Sequence, residues 1–115
     1  MLPEADATRL RHMLDASLEA IELAAERDGS QLENDRTASL AIVRLVEIVG
    51  EAAAKVSADT RSGLPEVPWR EMLDMRNRVI HAYMDVDLDI VAATIRDDLP
   101  PLADTLRRVL QEDRA

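Results

Sequence analysis

Between Ala5 and Arg27 the apolar positions Leu10, Met13, Leu14, Leu18, Ile21 and Ala25 recur at three- and four-residue steps, and Arg9, Arg11, Glu19, Glu22 and Glu26 fall mainly elsewhere. This period places the apolar set on one face of a helix, and Asp28-Gly29-Ser30 supplies its stop. From Arg36 to Ser57 the pattern is denser: Leu40, Ala41, Ile42, Val43, Leu45, Val46, Ile48, Val49, Ala52, Ala53 and Val56. A helix apolar almost all round is expected to be central and contacted on several sides. Its charges, Arg44, Glu47, Glu51 and Lys55, share one narrow stripe. Gly50, in mid-helix, costs about 1 kcal/mol against Ala and so predicts a close helix crossing.

Asp59 to Pro68, with Gly63, Pro65 and Pro68, reads as the longest loop. Pro68 suits the start of a third helix, expected from Trp69 to about Tyr83. The Asp85-Val86-Asp87 segment breaks it, and Asp87 can cap a fourth helix over Leu88–Asp97. Asp98 can cap a fifth, whose first turn tolerates Pro100 and Pro101 and whose buried stripe is Leu102, Thr105, Leu106, Val109 and Leu110. The expectation is an all-α, up-down bundle of about five helices.

Composition narrows this further. A chain of 115 residues makes one domain, 1–115, with room for an ordinary core. Aromatics at 2%, no Phe and 3 Gly favour aliphatic helix packing over a sandwich or barrel. The absence of Cys excludes a disulfide framework and a thiolate zinc site, and suits a reducing cytoplasm. Glu4 and Asp6 without an apolar core beside them argue against a signal peptide, and no run is long enough to span a membrane. The net charge of −9 argues against broad, nonspecific nucleic-acid binding. It leaves room for a small basic site.

Candidate chemistry concentrates in Met75 to Asp87, MRNRVIHAYMDVD, which holds one of two histidines and the single tyrosine. Arginine presents a fixed fork of donors that can hold a phosphate and stabilise the added charge of a phosphorane. Histidine exchanges protons near neutral pH. RNA carries its own nucleophile, the 2′-hydroxyl, so Arg76 with His81 can suffice for cleavage without a metal or cofactor, and Asn77 can orient the imidazole or a phosphate oxygen. On a helix Asn77 and His81 share a face, whereas Arg76 and His81 stand roughly 140° apart. The two meet at one substrate only if Arg76 reaches across, the helix loosens near Ala82, or a second subunit completes the site. Spacing alone favours a plainer reading: His81 and Tyr83 as half-buried packing residues, with Arg76 paired to Glu47 or Glu51.

RNRVIHAY resembles the R-x4-H-x-Y signature of HepT-like proteins of the HEPN superfamily. The resemblance continues through RLRHMLDA, LVEIVGEAAAKVS, LPEVPWREMLDMRN and HAYMDVDLDIVAATIRDDLPPL, in that order. It implies a HEPN-like helical bundle that dimerises with two motifs facing a shared cleft. It also implies a cytoplasmic, metal-independent ribonuclease, the toxin of a type VII toxin–antitoxin pair, with Arg76 and His81 catalytic and Asn77 supporting. The implied partner is a small MNT-type nucleotidyltransferase antitoxin that adenylylates the tyrosine matching Tyr83. Such an adduct beside Arg76 would block a phosphate site by bulk and charge. The family often has an aromatic residue after Asp-Ile-Val, where this chain has Ala92. Two further readings are a binding module that holds nucleotide or partner without cleavage, and a purely structural helical dimer.

Glu47 and Glu51 either line the same cleft or form a salt-bridged stripe with Arg44 and Lys55. His12 reads as a surface residue and Trp69 as a core or dimer anchor. Asp85, Asp87 and Asp89 mimic the start of a calcium loop, but Ile90 replaces the required Gly and Arg96 the closing Glu. Without cysteine, His12 and His81 make a poor transition-metal set. Gly29, Gly50 and Gly63 are scattered, so the chain has no phosphate-cradling Gly-rich loop and is not itself read as the nucleotidyltransferase.

Overall fold

Two long amphipathic stretches become the two long helices α1, Glu4–Ala24, and α3, Arg36–Lys55. The computed structural model describes residues 1–25, 27–82 and 85–114, with the backbone only at Ile80, His81, Ala82 and Asp85. Glu4 and Asp6 sit in the first turn of α1, where negative charge is favoured by the helix dipole. Asp28-Gly29-Ser30 does more than close α1. Asp28 opens a short α2, Gly29–Glu33, by a reciprocal capping box: its carboxylate accepts from Gln31 N at 2.9 Å, and its own N–H donates to Gln31 Oε1 at 2.8 Å.

The stretch read as the longest loop contains another helix, α4, Ala58–Gly63, capped by Ser57 Oγ accepting from Thr60 N. Then come α5, Trp69–Val79, and a small antiparallel pair, β1, Ile80–Ala82, with β2, Asp85–Val86. Next are α6, Leu88–Asp97, capped as expected by Asp87, and α7, Leu99–Arg114, with Pro100 and Pro101 in its first turn. The fold is all-α in class, with seven helices among the described residues instead of about five. The two extra ones, five and six residues long, are too short to show a period.

The third expected helix is shorter than its pattern suggests. The periodicity carries it to about Tyr83, but α5 stops at Val79. Val79 and Ile80 are adjacent β-branched residues, stiff at χ1 and at home on a pleated surface. Ile80 pairs with Val86, and Asp87 N donates to Val79 O at 3.2 Å, so the chain leaves the helix and doubles back. Tyr83 lies outside the described residues.

Within the bundle α1 packs against α3 and α7, α3 packs against α5, and α6 touches α1, α2, α5 and α7. Leu10, Met13, Ile42, Val46, Val49, Met72, Met75, Leu99, Leu102 and Leu106 are fully buried in one cluster drawn from four helices, α1, α3, α5 and α7. Each such side chain contributes about 1.5–3 kcal/mol relative to exposure. Gly50 meets its expectation: a Cβ there would lie 3.2 Å from Met72 O, so its bareness lets α3 and α5 cross closely. One expectation for α3 is revised. Its outer face is uncovered, with Leu40 51% exposed and Val43 and Ile48 only half-buried. No helix among the described residues is long and apolar enough to cross a membrane.

Candidate functional site

The Gly50–Met72 approach and an ion pair between Glu47 and Arg76 fix α3 and α5 as antiparallel neighbours. Arg76 occupies the last turn of α5, where cationic side chains complement the helix dipole. Its Nε donates to Glu47 Oε2 at 3.3 Å, with the arginine side chain 56% exposed and the glutamate 22%. The two terminal amino groups of Arg76 have no protein partner among the described residues. One edge of the guanidinium is therefore braced against α3 while its outer fork stays open to an anion. A half-buried carboxylate on Nε restricts the rotamers of a long side chain, and preorganisation of this kind lets a donor act without first being ordered.

The other expected members are placed unevenly. Glu51 is engaged by Arg44 at 3.1 Å, one helical turn from the Arg76–Glu47 pair. The two glutamates thus have different partners, and Arg76 takes only Glu47. Asn77 Nδ2 donates to Asp74 Oδ1 at 3.2 Å on its own helix, which leaves Oδ1 and the second N–H of the amide available to a ligand. Asn77 and His81 do not share a helical face, because the helix has ended between them. The backbone of His81 lies in β1, the imidazole is not among the described side chains, and Tyr83 falls outside the described residues. The helical angle of roughly 140° between Arg76 and His81 therefore no longer applies.

Three neighbours escaped the sequence reading. Arg78 reaches Asp98 at the α6–α7 junction with Nη2–Oδ2 at 2.7 Å, part-buried. With the Asp87–Val79 backbone bond it fastens both roots of the β1–β2 turn. Leu40 and Leu73 are exposed leucines on α3 and α5. Because the helices are antiparallel, they flank the Arg76–Glu47 pair lengthwise on opposite sides. On α3, apolar almost all round, nothing in the sequence separates Leu40 from a core leucine, whereas on the polar α5 Leu73 falls off the buried Met72–Met75–Val79 stripe.

Outside this face, Trp69 is half-buried against the core with Nε1 donating to Leu64 O at 3.0 Å, which makes it a core anchor, and His12 is exposed. Asp6 is buried and receives Ser57 N at 3.0 Å and Ser57 Oγ at 2.6 Å, with Thr60 Oγ1 as a third donor. The Ser57 hydroxyl first, then Thr60 and the Ser57 amide, hold its carboxyl below the ordinary aspartate value. This cluster stitches α1 to the cap of α4.

Residues 13–109 match the family described as ribonuclease HepT-like. Over 68 residues the chain is 41% identical to a Thermococcus cleftensis protein named "Probable ribonuclease HepT", an alignment covering 59% of this chain and 62% of that protein. Over 108 residues it is 32% identical to a candidate RNase of Caldanaerobacter subterraneus subsp. tengcongensis, covering 90% of this chain and 96% of the relative. A candidate RNase of Methanocaldococcus jannaschii is 31% identical over 93 residues, 81% of this chain and 85% of the relative. No solved structure gives a significant match.

Proposed function

This chain belongs to the HepT-like ribonuclease family, and from that membership we propose that it is a cytoplasmic, metal-independent endoribonuclease, the toxin of a toxin–antitoxin pair. The observation that carries the reading is Arg76: an exposed guanidinium, braced on Nε by Glu47 and open at its outer fork, five residues before His81 in the family's motif. An open fork at a helix end is suited to a phosphodiester. In the proposed reaction a base takes the proton from the 2′-hydroxyl, and the 2′-oxygen attacks phosphorus. The P–O5′ bond breaks and the departing 5′-oxygen receives a proton. The products are a 2′,3′-cyclic phosphate and a free 5′-hydroxyl. His81 is assigned the proton transfers, Arg76 the charge of the phosphorane, and Asn77, through its side-chain amide, a positioning contact.

The active unit is proposed to be a homodimer, supported by the bare outer face of α3 and by Leu40 and Leu73 beside the Arg76–Glu47 pair. Neutralisation is assigned to an MNT-type nucleotidyltransferase that transfers adenylate to Tyr83. The test is purified protein, free of antitoxin, incubated with RNA and chelator. Wild type is expected to leave 2′,3′-cyclic phosphate ends, and Arg76→Ala and His81→Ala, both folded, to lose cleavage by about 10²-fold or more, the size expected when a charge-stabilising donor or a general acid–base is removed. Equal activity in both variants would mean that these side chains do not perform the chemistry. Co-expression with the nucleotidyltransferase should add adenylate mass that Tyr83→Phe abolishes.

A further inference from the structure

Away from Arg76, α1 and α7 enclose a groove of about 220 Å³ whose lining includes three of the chain's thirteen arginines: Arg11, Arg107 and Arg114. Leu14 and Leu110, both half-buried, form its floor, and Gln111 completes the wall. On α7 the residues 107, 110, 111 and 114 fall at helical spacing, so one stripe carries an arginine at each end, their Cα atoms about 10 Å apart along the axis. Arg11 sits across from them on α1. Among the described residues Arg11 and Arg114 have no carboxylate partner, and Arg107 has only a 3.7 Å contact with the exposed Asp104. Such an exposed i, i+3 pair holds an arginine weakly. In a protein of net charge −9, three arginines gathered with so little compensation repel one another. An apolar floor between them adds nothing to solvation. Both features suit a ligand that is anionic along its length and has flat apolar faces.

We propose that this α1–α7 groove is a phosphate-tracking exosite for single-stranded RNA, separate from the Arg76 site. It rests on the ribonuclease reading only for the choice of RNA as the polyanion. The three guanidinium forks take successive backbone phosphates, and bases lie against Leu14 and Leu110 without being read by sequence. The groove answers a problem the composition sets. An acidic surface repels RNA as a whole, so affinity must come from local grooves, and one open fork at Arg76 contributes little length of contact. A substrate long enough to touch both places is held better than one that reaches Arg76 alone.

The experiment uses the full-length protein and a fluorescein-labelled, single-stranded 2′-O-methyl RNA of mixed sequence, which lacks the 2′-nucleophile and stays intact. Wild type is compared with Arg11→Gln/Arg107→Gln/Arg114→Gln and with a control of equal charge, Arg61→Gln/Arg70→Gln/Arg96→Gln. The groove variant is expected to bind at least about tenfold more weakly at low salt, with its log K against log[salt] slope shallower by about 0.7 per lost phosphate contact. The control should stay close to wild type. Unchanged affinity and slope in the groove variant overturn the exosite, as does an equal loss in the control. So does a groove variant that keeps RNA affinity but loses binding to the nucleotidyltransferase, which would make the groove a surface for an acidic protein. Cleavage separates this from the reading it rests on. The groove variant should raise KM on long RNA and leave a dinucleotide substrate unaffected. Wild type that binds the 2′-O-methyl probe through the groove but cuts no RNA would sink the nuclease while leaving the exosite standing.

Discussion

Two carboxylates show how burial and partner, more than residue type, decide what an acidic side chain does here. Glu47, half-buried on α3, has one cationic partner and steers it, whereas Asp6, buried at the start of α1, has three neutral donors and serves as an anchor. Hydrogen bonds to an ionised carboxylate favour the charged form, which is why Asp6 stays ionised below the usual aspartate value of 3.8. Because its pKa is lowered on folding, its contribution to stability is complete above the unfolded value and is lost as pH falls through the folded one. Asp6→Asn removes the charge while keeping the shape. Thermal melts should therefore show the variant less stable than wild type at pH ~7, with the gap narrowing as pH falls below the ordinary aspartate value and the wild-type carboxyl is protonated. A gap that does not change with pH would mean that the Ser57–Thr60 cluster works through packing and not through charge. The same residue-scale logic is partly visible in the sequence. Arg76 paired to Glu47 is one of the readings the spacing allows, but choosing Glu47 over Glu51 needs the register of α3 against α5.

That register is set at Gly50, the point where the two elements that build the site come closest. A side chain at Gly50 meets Met72 O, a backbone atom that cannot swing away, so α5 as a whole must move. Gly50→Val is accordingly expected to destabilise the fold by about 1–3 kcal/mol, in the range of core overpacking. Gly50→Ala should fall nearer to neutral, because about 1 kcal/mol of helix propensity offsets the tight contact. Urea denaturation measures both, and a Gly50→Val protein as stable as wild type would mean that the crossing is looser than described. Elements with many turns are legible in the chain itself: α1, α3, α6 and α7 announce themselves by period, α6 also by its Asp87 cap, and Gly50 by its place in mid-helix, whereas the Asp98 carboxylate expected to cap α7 goes to Arg78. What the pattern hides has a physical cause. The short helices α2 and α4 owe their existence to the Asp28 and Ser57 caps, which in the chain look like loop chemistry. The end of α5 comes three to four residues earlier than the pattern predicts, because Ile80 to Tyr83 has no Gly or Pro to mark a break. The break comes from pairing with Val86, a contact that local propensity does not contain.

For the molecule as a whole, the outer face of α3 is an apolar surface left bare. Leu40 at 51% and Leu73 at 40% exposure sit on either side of a mixed-charge strip, Arg44–Glu51 and Arg76–Glu47. Two copies meeting there would bury the leucines at both ends of the strip and present each strip to its own likeness across a two-fold axis, so that an arginine of one copy can meet a glutamate of the other. Each copy carries −9, so long-range repulsion opposes the encounter and apolar burial must overcome it. Added salt screens that repulsion, since the Debye length falls from roughly 10 Å at 0.1 M to about 3 Å at 1 M. The proposed dimer should therefore tighten with salt, whereas RNA binding should weaken. Leu40→Arg and Leu73→Arg, each placing a desolvated charge at the seam, are expected to give monomers by light scattering while leaving helix content intact, and to lose RNA cleavage along with the dimer. Monomeric variants that still cut RNA at the wild-type rate would place a complete site within one chain, and the turn after Val79 would then have to bring His81 to Arg76 without help from a second copy.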